Sequence, residues 1–256
     1  LGVVCLSGRR SGENFTAGDE KLVAAVGSQI GTAIQNARLV RATLDQERLQ
    51  SEMRLAHELQ MKLLPSGDVV APEALCALRV EPAEGVGGDF YNLFHLGNGR
   101  IGVLIGDVSS HGYRAALIMA LVMSASAIHA QTTADPAETV TAIFATLDEE
   151  LHETEMFLSL CYCVVDREAQ TIRWTNTGHP HAFTIGADGV AKRLDATDPP
   201  LGLGPDELHV SERRWDPAED MLALFTDGIT DARNARGDAL GERAVLDVLR
   251  ARRGEL

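Results

Sequence analysis

The sequence predicts an α+β layered domain of many antiparallel strands with two helices inserted together, behind one long N-terminal helix. Three observations predict it. From Leu22 to Leu63 apolar residues recur mostly at steps of three and four, and no proline intervenes before Pro65. After Pro65 the texture changes to many short apolar or alternating stretches bounded by Gly, Pro, Asn and Asp, which read as strands. Two segments of helical spacing lie between the early and the late strands. Strands and helices that do not alternate one by one argue against a doubly wound parallel sheet.

Composition bounds the function. With 256 residues, 45% hydrophobic and 23% charged, the chain can bury a core without disulfides or structural metal. A net charge of −14 argues against a nucleic-acid surface, which needs clustered Lys and Arg. No window is apolar for the roughly 18 residues that a membrane span needs, and no signal peptide is visible. Cys5, Cys76, Cys161 and Cys163 form no CxxC pair and no metal-ligand spacing, so reduced thiols in a cytoplasmic protein are expected. The chain opens on Leu1 and stops at Leu256 just after a helix-like pattern, which predicts a piece of a longer protein.

In chain order, residues 1–8 read as a strand. Thr16 and Asp19 sit three apart ahead of an apolar run, as a helix N-cap does. Leu22, Val23, Val26, Ile30, Ala33, Ile34 and Ala37 follow at helical spacing, and Leu49, Met53, Ala56, Leu59 and Leu63 continue it. About 45 residues of this pattern suggest a coiled coil or signalling linker, with two ordinary helices as the alternative. Strands are predicted at 74–82, 88–96, 100–107, 157–166, 171–177, 181–185, 190–194, 209–216 and 221–226. The two inserted helices are predicted from after His111 to about Ala130, and from Asp135-Pro136 to about Glu153.

The segment from Gly87 to Gly112 carries the chemistry. Gly97-Asn98-Gly99 marks a tight turn, which would set Leu96 opposite Arg100 and Asp89 directly opposite Asp107, with a bulge in the turn, shifting the register by one residue, as the alternative. Two carboxylates about 5 Å apart repel by about 3 kcal/mol at an effective dielectric near 20. A fold tolerates that if one is protonated or a cation lies between them. Glycines beside both acids let a ligand approach the backbone, and all-oxygen ligands suit Mg²⁺ or Mn²⁺. Farther on, an apolar strand ends in Thr226-Asp227-Gly228, which alone is only a turn signal.

The order GGDFYN, IGDVSSHGYRAALIMA, IRWTNTGHP, PPLGL and LFTDGITDARN resembles the SpoIIE/RsbU type of PPM serine/threonine phosphatase from about Leu64 to Arg252. AHELQMKLLP looks like the helix joining regulatory and phosphatase domains in that family, and residues 1–40 look like the end of a GAF sensor domain. The implied organisation is a GAF remnant (1–40), a linker helix (41–65) and a phosphatase domain (66–256). The resemblance implies a PPM-type β-sandwich with metals at one edge. Asp89, Asp107 and Asp227 match the family's metal-binding acids, and the Val108 carbonyl matches a further ligand position. It also implies attack of a metal-activated water on phosphorus, with two Mn²⁺ or Mg²⁺ ions. The implied substrate is a phosphorylated STAS-domain anti-sigma antagonist, and a homodimer would form through the linker helix.

The sequence departs from the family in three places. Ser110 replaces a glycine of GDVSGHG, which would strain the loop if that position needs φ > 0. Asn92 replaces the second Asp of GGDFYD. The family's closing DD-x-T motif, which supplies another ligating Asp, does not occur before Leu256. His111 and His179 read as structural histidines before general acids. A rival reading is a phosphoprotein-binding module without catalysis, and a weaker one is a sensory scaffold built on the long helix.

Overall fold

The computed structural model describes residues 3–5, 7–8, 12–82, 85–110, 112–204 and 207–253. Helix α1 spans Ala17–Leu63 without a break. Its start is fixed by Thr16, whose hydroxyl and backbone N–H both donate to the Asp19 carboxylate at 2.6 and 2.8 Å. By tertiary contacts the chain divides into residues 1–55 and a larger compact unit from Ala56 onward, and the last two turns of α1 belong to the latter.

Within the larger unit, β1 (Phe90–Gly97) and β2 (Arg100–Val108) form a hairpin, and α2 (Tyr113–His129) and α3 (Pro136–Thr154) follow. The Asp135 side chain caps α3 by accepting from the backbones of Ala137 and Glu138, with Pro136 in the first turn. Then come β3 (Leu158–Asp166), β4 (Thr171–Thr177), β5 (Ala182–Ile185), β6 (Ala191–Arg193), β7 (Ser211–Arg214) and β8 (Met221–Leu224), closed by the short α4 (Asp227–Thr230) and by α5 (Glu242–Arg252). The strands form a five-stranded sheet in the order β1-β2-β3-β4-β7 and a three-stranded sheet in the order β6-β5-β8. Every pairing between named strands is antiparallel.

Alternation along the strands builds the layers. Phe90, Leu104 and Tyr162 face one way and pack with Met119, Ile143 and Leu147 of α2 and α3. Leu93, Ile105, Cys161, Cys163, Ile172 and Trp174 face the other way and meet Ala182 of the second sheet. Phe183, Ile185 and Ala223 then pack on Phe225 and on Leu246 of α5. The result is a helix–sheet–sheet–helix sandwich, the α+β arrangement expected from sequence. Cys161 and Cys163 share one face of β3, as their spacing requires, and their sulfurs lie 3.6 Å apart.

Three local expectations are corrected. Residues 74–82 form no strand; Leu75 is 92% exposed, so an apolar alternation there has no sheet to join. The expected strand at 1–8 is absent among the described residues 3–5 and 7–8, and the remainder lies outside them. At the first hairpin, Arg100 faces Gly97, not Leu96. Asn98 and Gly99 both take positive φ (53° and 67°), which makes a two-residue loop, and Leu96 becomes the extra residue of a bulge.

Candidate metal centre

Beyond that bulge the strands return to the expected register: His95 pairs with Ile101, and Phe90 with Gly106. One step further, Asp89 and Asp107 face each other across the mouth of the hairpin. Asp107 is partly buried, and its carboxyl is pushed up to about 7. Burial is the main cause, followed by the charge of Asp89 and contact with it, and then by the charge of Asp227. Gly88 makes the close approach workable. A Cβ there would lie 2.8 Å from Asp107 Oδ1, 2.9 Å from the Val108 carbonyl and 3.2 Å from the Ser110 carbonyl. Carboxylate and carbonyl oxygens thus crowd one spot over a bare backbone.

Asp227 arrives from the other sheet, as the first residue of α4 just beyond β8. The Thr226 hydroxyl donates to Asp89 Oδ2 at 2.7 Å, which stitches the end of β8 to the hairpin mouth. The arrangement brings Asp89, Asp107 and the Val108 carbonyl together and leaves Asp227 in electrostatic range. Among the described residues, no three His, Cys, Asp or Glu side chains converge closely enough to hold a metal ion. The donor set is nonetheless all oxygen, and a repelling carboxylate pair is what a hard divalent cation relieves, so these residues fit Mg²⁺ or Mn²⁺.

The departures read from sequence now have surroundings. Left-handed backbone outside glycine occurs among the described residues at Asn98, Glu155 and Gln170, not at Ser110, so the serine imposes no φ strain. Its N–H donates to the Val108 carbonyl at 2.5 Å. Asn92 is buried and turned to α2, where its amide donates to Ser126 Oγ at 3.0 Å. His111 lies outside the described residues.

Two supports escaped the sequence reading. Gln60, the one buried residue of α1, brackets Gly87 by donating to its carbonyl (2.7 Å) and accepting from its N–H (3.2 Å). Tyr91 Oη donates to the Pro65 carbonyl at 2.9 Å. The exit of α1 is therefore tied to the chain on both sides of Asp89. A glutamine inside the apolar stripe Ala56, Leu59, Leu63 was the available signal. On the second sheet, His181 bonds Glu242 at 2.8 Å and stacks on Phe225, and Glu242 also binds Arg193 at 2.6 Å.

The two-sheet sandwich with an acidic edge is the fold of PP2C-type phosphatase domains. It superposes on the SiaA-PP2C domain of Pseudomonas aeruginosa with a TM-score of 0.69, at 21% identity over 81% of this chain and 83% of that chain. For the PP2C domain structure of Bacillus subtilis SpoIIE the score is 0.51, at 20% identity over 66% of this chain and 55% of that chain. A family model for stage II sporulation protein E (SpoIIE) matches residues 97–256, and the chain belongs to that family. Protein IcfG of Synechocystis is 28% identical over 78% of this chain and 36% of its own length. Phosphoserine phosphatase RsbU of Bacillus subtilis is 26% identical over 81% of this chain and 61% of its own. The chain thus spans between about a third and three fifths of these two relatives.

Proposed function

We propose that this chain carries a metal-dependent serine/threonine phosphatase that hydrolyses phosphoserine or phosphothreonine on a partner protein. The observation that supports it best is the Asp89–Asp107 pair across the hairpin mouth, with the Asp107 carboxyl pushed up to about 7. Asp89, Asp107, Asp227 and the Val108 carbonyl would hold Mn²⁺ or Mg²⁺. The bound ions would lower the pKa of a water and neutralise charge on the phosphoryl group. The chain's own part is to keep two carboxylates apposed, to leave the backbone bare at Gly88, and to hold Asp227 against the hairpin through Thr226.

The substrate we infer is a phosphorylated STAS-domain anti-sigma antagonist, the partner implied by the family resemblance, in a cytoplasmic partner-switching circuit. Residues 1–40 would belong to a GAF sensor domain, and α1 would pass its state to the metal centre within a homodimer. A second reading, a phosphoprotein-binding module, is favoured by the lack of a three-carboxylate cluster at ligating distance among the described residues.

The test is Mn²⁺-dependent hydrolysis of p-nitrophenyl phosphate and of a phosphoserine peptide, beside Asp107→Asn. Turnover that requires Mn²⁺ and is lost in the variant supports the phosphatase. Phosphopeptide binding without turnover, unchanged by Mn²⁺, moves the assignment to the binding module.

A further inference from the structure

The strand end that carries Asp227 is weakly held by its own sheet. β8 has four residues and is an edge strand, and its last paired residue is Leu224. Phe225, Thr226 and Asp227 project beyond it toward two other acids. Charge repulsion from Asp89 and Asp107 acts on Asp227 whenever no cation lies between them. Beyond the Thr226–Asp89 hydrogen bond, which pins one side chain, something other than strand pairing must keep this end in place.

Two histidines of the Gly178-His179-Pro180-His181 turn grip it. His179 is 3% exposed, and its Nε2 lies 3.1 Å from the Phe225 carbonyl. The Phe225 N–H donates to the His181 carbonyl at 3.0 Å, and the His181 ring stacks on the Phe225 ring. The turn itself is tightly bonded and packed. Asn176 accepts from the His179 N–H at 2.7 Å and donates to the carbonyls of His179 and Leu194 at 2.9 and 2.8 Å. Gly178, at φ +80°, packs so closely on Pro200 that a Cβ would lie 2.8 Å from its ring.

The tautomer follows from the acceptor. A carbonyl takes only a donor, so Nε2 carries the hydrogen. Burial pushes the His179 pKa down to about 4, with the nearby His181 adding to it against the opposing pull of the Phe225 carbonyl, so the ring is neutral near pH 7. Its Nδ1 is then a bare acceptor, buried without a hydrogen-bond partner among the described residues. Leaving an acceptor unsatisfied is unfavourable, and an apolar side chain of similar size would avoid it. A histidine that only filled the core would be a poor choice there.

We infer that His179 is a positioning residue that braces the Phe225–Asp227 strand end, so that Asp227 meets the metal opposite Asp89 and Asp107. The inference rests on reading those three acids as metal ligands, and its test separates the two. His179→Leu keeps the apolar packing and removes the donor, whereas His179→Gln returns an N–H near the Nε2 position. Mn²⁺ affinity is read from the electron paramagnetic resonance of free Mn²⁺. Amide hydrogen exchange over residues 224–231 is read without metal.

The brace predicts that His179→Leu weakens Mn²⁺ binding about five- to ten-fold, the equivalent of roughly one net hydrogen bond. It also predicts faster exchange confined to 224–231, and recovery of both properties in His179→Gln. Unchanged affinity and exchange in His179→Leu would overturn it, as would losses that Gln fails to restore. If the wild-type chain binds Mn²⁺ no better than Asp107→Asn, the metal reading fails, and the exchange measurement alone decides whether His179 braces the strand end.

Discussion

Residues at the hairpin mouth are tuned against stability, and two substitutions expose this. The Asp107 carboxyl has its ordinary value of 3.8 when unfolded and about 7 in the fold. The folded state therefore holds the proton more tightly, and the metal-free protein loses stability as pH rises from about 4 to 7. Asp107→Asn removes that loss. In EDTA at pH 8 the variant should unfold at higher denaturant, by on the order of 1 kcal/mol, while in Mn²⁺ it should lose about a hundredfold or more of any turnover. An equal loss of stability and turnover would show that the carboxylate is structural. Gly88→Ala acts from the other side. Its methyl would meet Asp107 Oδ1 and the Val108 backbone within 3 Å, so Mn²⁺-induced thermal stabilisation should vanish with less effect on the metal-free melting temperature.

At the level of elements, legibility in the sequence followed periodicity. β1 to β4 were readable because alternating residues face two different cores, α2 because its long apolar run packs on the sheet, and α3 because its Asp135 cap and its spacing agree with its packing. The stretch 74–82 alternates as well, but with Leu75 exposed it has no partner strand, and a local pattern cannot reveal that. The Asp89–Asp107 pairing was legible because the Leu96 bulge and the two-residue loop offset each other and restore the strand register. The Gln60 bracket on Gly87 was not, since it joins residues 27 apart with no shared period. That bracket carries its own prediction. Gln60→Ala strips both hydrogen bonds from Gly87, two residues before Asp89, and leaves a partly buried backbone pair unsatisfied. Mn²⁺ affinity should fall about tenfold with the helix content of α1 unchanged by circular dichroism. Unchanged affinity would mean that the α1 exit does not position Asp89.

For the whole molecule, the open question is what covers α1. Its apolar residues Leu22, Val26, Ile30, Ile34, Leu44, Leu49, Leu55, Leu59 and Leu63 are all between 46% and 65% exposed. No helix among the described residues is long and apolar enough to cross a membrane. A helix of 47 residues that leaves so many apolar side chains in water is stabilised by covering them, and a second copy offers the same residues in the same order. The chain should therefore sediment as a dimer at micromolar concentration. Ile30→Glu with Ile34→Glu should shift it to monomer, because opposed carboxylates would meet at the centre of the seam. Turnover of a phosphoprotein by the monomeric variant then reports on regulation. If activity falls with dimer content while Mn²⁺ binding at pH 8 is kept, α1 acts on the hairpin through its exit at Gln60 and Pro65. If the wild-type chain already sediments as a monomer, the apolar stripe of α1 is covered by something other than its own copy.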